Sequence, residues 1–279
     1  MADVFRHGLI GHPVAHSLSP QVHKYFAAQL DFELDYKMFD VPEDAFDDCV
    51  HAFFRTGGTG LNITLPYKLN ALHFPATLTP RAQLARAVNA MCLDDEGRIE
   101  GDNADGPGFV RNLVSNHGID IASCRVLLLG AGGAARGVLT ALATNGCSNI
   151  TIQNRTRARA ESLLEDLTER LTASIADVET PAEQPFDLVI NATSAGLSSE
   201  RPAVDSSAIG AATICCDLIY GPDAQTFLQW AGEQGAAKTI DGWGMLVEQA
   251  AECFERWHGT RPDTAELIAN PPQGSGDVD

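Results

Sequence analysis

The chain has 279 residues, of which 44% are apolar and 20% are charged, a composition typical of a globular protein with room for two domains. Its formal net charge is −18, because 37 Asp and Glu residues oppose 19 Lys and Arg residues. A surface this acidic repels phosphate backbones, which argues against a nucleic-acid partner.

Strand-like and helix-like segments alternate through nearly the whole chain, which predicts an α/β protein with parallel sheets. Four strands are predicted in the first third, at Phe5–Gly11 and at residues 34–39, 59–64 and 87–93. Helical spacing occurs over residues 19–30 and 42–56. Ser19 followed by Pro20 predicts a helix N-cap with proline at the first helical position.

The second half of the chain continues this alternation with greater regularity. Strands are predicted at residues 124–130, 149–153, 186–191 and 212–218, and helices at residues 106–117, 133–145, 156–169 and 223–234. This order is typical of a doubly wound, Rossmann-type nucleotide-binding domain. An amphipathic helix is predicted over residues 245–257, and the polar tail, residues 271–279, is predicted to be disordered.

The spacing of the cysteines and the hydropathy of the chain indicate in which cellular compartment the protein is expected. The seven cysteines include no C-x-x-C pair, and Cys215 and Cys216 are adjacent in an apolar run. We therefore expect reduced thiols, without disulfides and without a metal site. No run reaches the roughly 18 apolar residues of a membrane span, and the first eleven residues do not resemble a secretory signal. No membrane association is expected, and the predicted location is the cytoplasm.

A glycine-rich loop follows the predicted strand 124–130. Gly130, Gly132 and Ala135 occupy the three key positions of the pattern G-x-G-x-x-[GA], between a strand and a helix. This pattern permits a tight turn and brings the backbone of the loop close to a pyrophosphate at the helix N-terminus. A dinucleotide-binding loop is therefore favoured over a merely flexible turn.

The end of the next strand indicates which dinucleotide binds. A protein that prefers NAD usually has an acidic residue about 20 positions after the glycine loop, where it bonds the ribose 2′-hydroxyl. This chain instead has Asn154, Arg155, Thr156 and Arg159, and the two arginines are spaced to bracket a 2′-phosphate. The alternative is a solvated basic helix start, although such charges oppose the helix dipole. NADP is the favoured cofactor.

A further polar run, residues 191–196, closes the predicted strand 186–191. The carboxyl ends of parallel strands line the ligand crevice of such a sheet, so Thr193 is a candidate for the floor of the cofactor site. The alternative is an ordinary turn capped by Asn191. Both interpretations stand at this point.

Three polar clusters in the first third of the chain follow predicted strands. Ser17 and Ser19 can face one ligand, although Ser19 alone also suits a helix cap. Lys68 is predicted to lie in the first turn of a helix that follows the strand 59–64. Asp102 is predicted to cap a turn and a helix, whereas Asp105, at the joint between the two halves, is predicted to be catalytic. A calcium loop is not supported, because the remaining ligands are missing.

Eight runs, in order and spacing, resemble the motif set of the shikimate dehydrogenases. They are AHSLSP, NITLPYK, AVN, GDNADG, GAGGAARG, NRT, NATSAG and DGWGMLVEQAA, and they lie between about residues 8 and 260. The resemblance implies a reversible, NADPH-dependent reduction of 3-dehydroshikimate to shikimate on the route to chorismate and the aromatic amino acids. It also implies a substrate domain, residues 1–105, completed by a returning C-terminal segment, residues 243–270, and an NADP-binding domain, residues 106–242. A homodimer is a further expectation.

The resemblance also implies roles for individual residues. Lys68 and Asp105 match the proton-handling catalytic pair. The matching substrate-binding residues are Ser17, Ser19, Thr64, Asn89, Asp105, Tyr220 and Gln249. The matching cofactor-binding residues are Gly130, Ala131, Gly132, Gly133, Ala134, Asn154, Arg155, Thr156, Arg159, Thr193, Leu218 and Gly242. The chain departs from the commonest family pattern at His12, Leu18, Ala90, Ala104 and Trp243. Ala90 and Ala104 lack hydroxyls that the family often has, and Trp243 is expected to reshape the cofactor entrance.

Three other functions remain open from the sequence. A quinate/shikimate dehydrogenase that uses NAD is disfavoured by Arg155 and Arg159. A folate-type methylene dehydrogenase shares the architecture and a lysine, but it leaves the Ser-x-Ser pair and Gln249 without a role. A non-catalytic NADP-binding regulator need not keep both Lys68 and Asp105, which the chain retains.

Overall fold

The fold is seen in a computed structural model, which describes residues 4–167, 173–178 and 180–272. It contains two six-stranded sheets with helices packed around them. The first sheet comprises β1 (Phe5–Gly11), β2 (Leu34–Asp40), β3 (Gly60–Ile63), β4 (Thr77–Leu78), β5 (Ala90–Leu93) and β6 (Ile99–Asp102). The helices of this part are α1 (Ser19–Gln29), α2 (Phe46–Arg55) and α3 (Pro80–Ala85).

The second sheet is built from the later part of the chain. Its strands are β7 (Arg125–Leu129), β8 (Asn149–Gln153), β9 (Ser174–Ile175), β10 (Leu188–Asn191), β11 (Ile214–Asp217) and β12 (Lys238–Ile240). The later helices are α4 (Asp105–Arg111), α5 (Gly133–Thr144), α6 (Arg157–Leu167), α7 (Gln225–Glu233), α8 (Trp243–His258) and α9 (Ala265–Ala269). After α4 the chain continues as a π-helical stretch, Asn112–Asn116.

The second sheet confirms the Rossmann-type prediction. Its strand order is β12-β11-β10-β7-β8-β9, and every described pair is parallel. Strands β7 to β9 are added toward one edge of the sheet, and strands β10 to β12 toward the other edge. The order of addition therefore changes direction between the neighbouring strands β7 and β10. In a doubly wound sheet, ligands bind beyond the carboxyl ends of the strands at this point.

The first sheet is mixed, so the prediction of parallel sheets throughout is wrong. Strand β5 runs antiparallel to both β3 and β6, while β1 runs parallel to β2 and β3. The β5–β6 pair is antiparallel because a tight hairpin joins the two strands. There the Asp94 carboxylate accepts hydrogen bonds from the backbone N–H groups of Glu96 and Arg98, and Gly97 adopts φ +74°.

The long elements were predicted closely, whereas the short ones were missed. Strands β4, β6, β9 and β12 and helices α3 and α9 have two to six residues, too few to show a hydrophobic period. The predicted strand 87–93 begins only at Ala90. Residues 168–169 of the predicted helix 156–169 lie outside the described residues, as do residues 273–279 of the predicted disordered tail.

The prediction that Ser19 is the N-cap of α1 is wrong by one position. The backbone N–H groups of Gln21 and Val22 both donate to the carbonyl oxygen of Leu18, so the first turn closes on Leu18. Ser19 is already helical, and no side chain caps this end. Its hydroxyl is therefore not occupied by capping.

Helix α8 returns to the first part of the chain, as the resemblance implied. Its residues Val247, Ala250 and Phe254 share a buried apolar cluster with Val22 and Phe26 of α1. Helix α4 packs between α5 and α8 by way of glycines. A Cβ added at Gly106 would collide with the Gly137 carbonyl oxygen, and one at Gly108 would lie 2.6 Å from the backbone nitrogen of Gln249. No helix in the described ranges is long and apolar enough to cross a bilayer.

Candidate active site

Lys68 and Asp105 come together where the two halves of the molecule meet. Lys68 Nζ donates to Asp105 Oδ2 at 2.6 Å, although the residues lie 37 positions apart. Their side chains are only 14% and 6% exposed. An ammonium that is held by a carboxylate and largely shielded from solvent can transfer a proton to a bound oxygen. The structure thus brings together the two residues predicted to be catalytic.

The prediction that Lys68 lies in the first turn of a helix is wrong. Residues 65–69 form turns, and the short 3₁₀ helix begins at Asn70. The turn is anchored by Tyr67, the residue before Lys68. Tyr67 is 1% exposed, stacks on Phe46 and donates its hydroxyl hydrogen to the Val41 carbonyl oxygen at 2.5 Å. The Lys68 carbonyl oxygen also accepts from the backbone N–H of Val88 at 2.8 Å. The lysine therefore extends from a rigid turn.

Asn89 orients the carboxylate of the pair. Its Nδ2 donates to Asp105 Oδ1 at 2.9 Å, and its Oδ1 accepts from the backbone N–H of Ala104 at 2.7 Å. The same amide nitrogen lies 3.4 Å from Gln249 Oε1, on α8. Asn89 precedes β5, Asp105 begins α4 and Gln249 comes from the returning helix, so three elements meet at the side chain of Asn89. Two family departures nearby, Ala90 and Ala104, pack with Cys253 in a small buried cluster.

The predicted carboxylate-binding residues also converge. Ser17 Oγ donates to Ser19 Oγ at 3.1 Å, and the Tyr220 hydroxyl accepts from the backbone N–H of Leu18 at 3.1 Å. Tyr220 follows β11 of the second sheet, so this hydrogen bond crosses between the two halves. Burial raises the pKa of Tyr220, which keeps it a neutral phenol able to donate. Thr64, half-buried at the end of β3, donates its backbone N–H to Ile10.

The glycine loop lies beside Lys68. Gly130 adopts φ +111°, and a Cβ there would be 2.9 Å from the Ala192 carbonyl oxygen, so this position requires glycine. A Cβ added at Gly133 would lie 2.7 Å from Lys68 Cβ. The N-terminus of α5, formed by Gly132 and Gly133 with the flanking residues Ala131 and Ala134, therefore faces the turn that carries Lys68.

The ends of β10 and β11 lie together at the carboxyl edge of the second sheet, where the cofactor crevice is predicted. Asn191 Oδ1 accepts from both the backbone N–H and the hydroxyl of Thr193, which is the turn anticipated as the alternative. The Leu218 backbone N–H donates to the Asn191 carbonyl oxygen at 2.9 Å. A Cβ on Gly242 would collide with the Leu218 carbonyl oxygen, so these two predicted cofactor-lining residues are adjacent. The turn is therefore observed, and the role of Thr193 in the floor of the cofactor site stays a prediction.

Three arginines near the end of β8 differ in whether they form ion pairs with acidic residues of the described part of the chain. Within the described residues, Arg157 pairs with Glu161 at 2.9 Å and Asp177 at 2.7 Å, whereas Arg155 and Arg159 form no ion pair. Both are exposed, and Asn154 Nδ2 donates to the Thr156 carbonyl oxygen and shapes the turn between them. Two unpaired guanidinium groups at this strand end suit a phosphate ligand.

Asp102 is not the turn and helix cap that was predicted. It ends β6, is 4% exposed, and accepts hydrogen bonds from Thr79 Oγ1 and from Arg81, whose other nitrogen pairs with Glu252 of α8 at 2.8 Å. Burial opposes ionisation, but the hydrogen bonds and charge of Arg81 hold the pKa of Asp102 below its usual value. Asp102 therefore ties the first sheet to the returning helix.

Trp243 is almost fully buried behind Tyr220, and its expected effect on the cofactor entrance stays a prediction. It is 6% exposed, its indole N–H donates to the Leu267 carbonyl oxygen at 3.1 Å, and its ring meets Tyr220 edge-on. It therefore fills the core between α8 and α9 behind Tyr220.

Two acidic residues near this crevice were missed. Asp217, at the end of β11, is 2% exposed, and burial raises its pKa to about 7 even though Ile219 and Asn191 donate hydrogen bonds to it. Asp241 accepts from the backbone N–H groups of Gly221, after β11, and of Trp243, at the start of α8. The available signal was an acid at the end of an apolar strand.

Models of three protein-family domains match most of the chain. The shikimate dehydrogenase substrate binding domain matches residues 9–91, shikimate / quinate 5-dehydrogenase matches residues 112–212, and the shikimate 5′-dehydrogenase C-terminal domain matches residues 242–269. These segments contain most of the site residues described above.

Individual relatives cover nearly the whole chain. It is 45% identical over 264 residues to the shikimate dehydrogenase (NADP(+)) of Alkalilimnicola ehrlichii, covering 95% of this chain and 97% of the relative. It is 46% identical over 262 residues to that of Halorhodospira halophila, covering 94% and 96%. The crystal structure of shikimate 5-dehydrogenase from Thermus thermophilus in complex with NADP(H) and shikimate is similar with a TM-score of 0.83 at 34% identity, covering 95% and 97%. This chain belongs to the shikimate dehydrogenase family.

Proposed function

We propose that this protein is an NADP-dependent shikimate dehydrogenase that reversibly reduces 3-dehydroshikimate to shikimate. The observation that carries the proposal is the Lys68–Asp105 pair, 2.6 Å apart and protected, beside the N-terminus of α5. A regulator that only binds a nucleotide has no need of an oriented ammonium at this place. We further propose the domain limits 1–105 with 243–270, and 106–242; the homodimer and the cytoplasmic location stay predictions.

The residues of the second sheet fit an NADP molecule. Gly130 to Ala134 present the N-terminus of α5 to a pyrophosphate, because Gly132 is exposed and a Cβ added there would meet no atom of the described residues beyond its chain neighbours and its own helix within 4 Å. Arg155 and Arg159 bind the 2′-phosphate, with Asn154 and Thr156 shaping the turn that carries them. Thr193, Leu218 and Gly242 form the crevice floor at the inner end. When bound, NADPH supplies the hydride for the reduction.

Proton handling is assigned to the chain itself. In the reducing direction the Lys68 ammonium donates a proton to the substrate carbonyl oxygen as that oxygen becomes a hydroxyl, and in the oxidising direction Lys68 takes the proton back. Asp105 holds the ammonium in place, and Asn89 holds Asp105 through its second oxygen. Alignment across the cleft contributes the rest of the acceleration.

Substrate orientation is assigned to residues on both sides of the cleft. Ser17, Ser19 and Tyr220 bind the carboxylate of shikimate through their hydroxyls. Thr64, Asn89 and Gln249, together with Asp105, bind the ring hydroxyls; Asn89 and Gln249 already lie within 3.4 Å of each other. Hydrogen-bonded sites of this kind discriminate strongly against substrates that lack the matching hydroxyl.

The proposed function is tested by following NADPH formation from shikimate. We expect turnover with shikimate and NADP⁺, and much lower kcat/KM with quinate or with NAD⁺. Equal efficiency with quinate would favour the quinate/shikimate alternative. Tight NADP⁺ binding without any turnover would favour the regulator.

Cofactor choice is expected to depend on the two arginines without an ion pair. Replacing Arg155 or Arg159 with alanine should raise KM for NADP⁺ about 10- to 100-fold, because charge-assisted hydrogen bonds to a phosphate contribute about 1.5–3 kcal/mol. The weak activity with NAD⁺ should change little, since NAD⁺ has no 2′-phosphate. Steady-state kinetics with both cofactors checks this, with Arg157→Ala as the matched control, because Arg157 is already paired with two acids. An equal loss with NAD⁺ would show that the arginines act on the fold instead.

A further inference from the structure

Tyr220 lies in a short loop, residues 218–220, between β11 and the 3₁₀ helix Gly221–Ala224, and its ring reaches the Ser17–Ser19 segment of the first half. Its hydroxyl accepts a hydrogen bond from the backbone N–H of Leu18, between Ser17 and Ser19. The position of the Tyr220 hydroxyl depends on the position of the main chain that carries the ring. The groups that hold this loop therefore decide where the Tyr220 hydroxyl lies.

The Asp241 carboxylate binds the main chain directly after Tyr220. Its Oδ2 accepts from the backbone N–H of Gly221, the residue after Tyr220, at 3.2 Å. Its Oδ1 accepts from the backbone N–H of Trp243, the first residue of α8, at 3.1 Å. One carboxylate thus joins the Tyr220 loop to the helix that carries Gln249.

The surrounding contacts leave the loop few other positions. The Gly242 backbone N–H donates to the Ile219 carbonyl oxygen at 2.8 Å, and Ile219 donates its own N–H to Asp217 at 2.9 Å. The Tyr220 ring packs edge-on against Trp243 at 6.3 Å between centroids. Helix capping alone would account for the bond from Asp241 to Trp243, but not for the second bond, to Gly221.

We propose that Asp241 is a positioning residue for substrate binding, which fixes the Tyr220 hydroxyl against the Ser17–Ser19 loop without touching the substrate. The assignment rests on the proposed function, in which Tyr220 binds the shikimate carboxylate. It adds a residue that acts through Tyr220, and it explains why a single carboxylate bridges the loop and the helix.

The test is Asp241→Asn. An amide has one acceptor oxygen, so one of the two backbone N–H groups then faces an NH₂ donor and its hydrogen bond is lost. We expect KM for shikimate to rise about tenfold, the loss of roughly one hydrogen bond to a charged group. The kcat and the Kd for NADP⁺ should stay within about twofold. In Asp241→Ala both bonds are lost, so the rise in KM should be at least as large.

Coupling to Tyr220 separates positioning from a general structural role. In a Tyr220→Phe background, which already lacks the hydroxyl, Asp241→Asn should raise KM no further. The matched control is Asp205→Asn, because Asp205 also accepts from a backbone N–H, that of Ser207 at 2.9 Å, but caps a short helix before β11. We expect KM to be unchanged in that control. Additive effects of Asp241→Asn and Tyr220→Phe, or unchanged KM in both Asp241 variants, would overturn the proposal.

A second readout does not depend on which substrate the protein uses. The backbone N–H of Leu18 donates to Tyr220, so its hydrogen exchange in the unliganded protein should become about tenfold faster in Asp241→Asn, and not in Asp205→Asn. If the wild-type protein does not oxidise shikimate, the proposed function fails, yet this exchange measurement still decides the role of Asp241. Unchanged exchange at Leu18 would refute the positioning role.

Discussion

Replacing Lys68 with alanine is expected to lower kcat about 10²- to 10⁴-fold, with little change in KM for shikimate. The lysine donates or accepts the proton of the reacting oxygen, and that interaction is made in the transition state more than in the bound ground state. No other ammonium is paired with Asp105 in the described residues, so no neighbour replaces it. Steady-state kinetics in both directions measures the effect.

A further variant separates the effect of losing the Lys68 ammonium from the effect of losing the apolar part of the side chain. The Lys68 stem packs on Gly133, so Lys68→Met keeps this apolar contact while removing the charge. We expect Lys68→Met to lose as much kcat as Lys68→Ala. Lys37→Ala, at an exposed lysine on β2 that pairs with Asp35, serves as the control and should retain full activity. Full turnover in Lys68→Met would remove Lys68 from the mechanism.

The free energy of unfolding is expected to fall steeply as the pH drops from 6.5 toward 4. The cause is a cluster of three histidines, in which His7 and His23 are buried and His258 is half-buried. The His7 ring lies 6.2 Å from that of His23 and 5.0 Å from that of His258, and neither His7 ring nitrogen has a hydrogen-bond partner among the described residues. Burial lowers the pKa of His7 to about 2, of His23 to about 3 and of His258 to about 4.

The sign follows from proton uptake. The unfolded chain binds protons at these histidines near pH 6.5, whereas the folded protein does not bind them until the pH reaches the lowered pKa values, so acid favours unfolding. Each fully buried histidine contributes about 1.4 kcal/mol per pH unit within that window. Asp217 acts in the opposite direction. Burial raises its pKa to about 7, so its contribution favours folding at low pH and is lost as the pH rises toward 7.

Urea unfolding at a series of pH values checks this prediction. In His7→Phe the slope of the unfolding free energy between pH 4 and 6 should decrease by about 1.4 kcal/mol per pH unit, because one proton fewer is taken up. The slope is informative even if the larger ring changes stability at neutral pH. His51→Phe, at an exposed histidine of α2, is the control and should keep the wild-type slope. An identical slope in His7→Phe would refute the role assigned to the cluster.

Local patterns were enough to predict the long elements and the glycine loop. Strand β7 and helix α5 are indicated by an apolar run, glycines and a helical period, all within 20 residues. The same local reasoning placed Asp102 in a helix cap and Ser19 at an N-cap, and both predictions were wrong. Asp102 is bound by Arg81, 21 positions away, and the first turn of α1 closes on Leu18.

What the sequence could not supply is contact between distant elements. The approach of Lys68 to Asp105 depends on β3 pairing with β5 and β5 with β6, an antiparallel arrangement that was not predicted. The motifs therefore named the catalytic pair without placing it. The histidine cluster was missed for the same reason, because His7, His23 and His258 come from β1, α1 and the end of α8.

A crystal structure of the protein with shikimate and NADP⁺ would be the most direct test of proton transfer by Lys68. We expect the hydroxyl group on the reacting carbon to lie about 2.6–3.2 Å from Lys68 Nζ, with Asp105 still bonded to the same ammonium. The carboxylate of shikimate should lie against Ser17, Ser19 and Tyr220. Shikimate bound with its reacting hydroxyl turned away from Lys68, or bound outside the cleft, would contradict the mechanism.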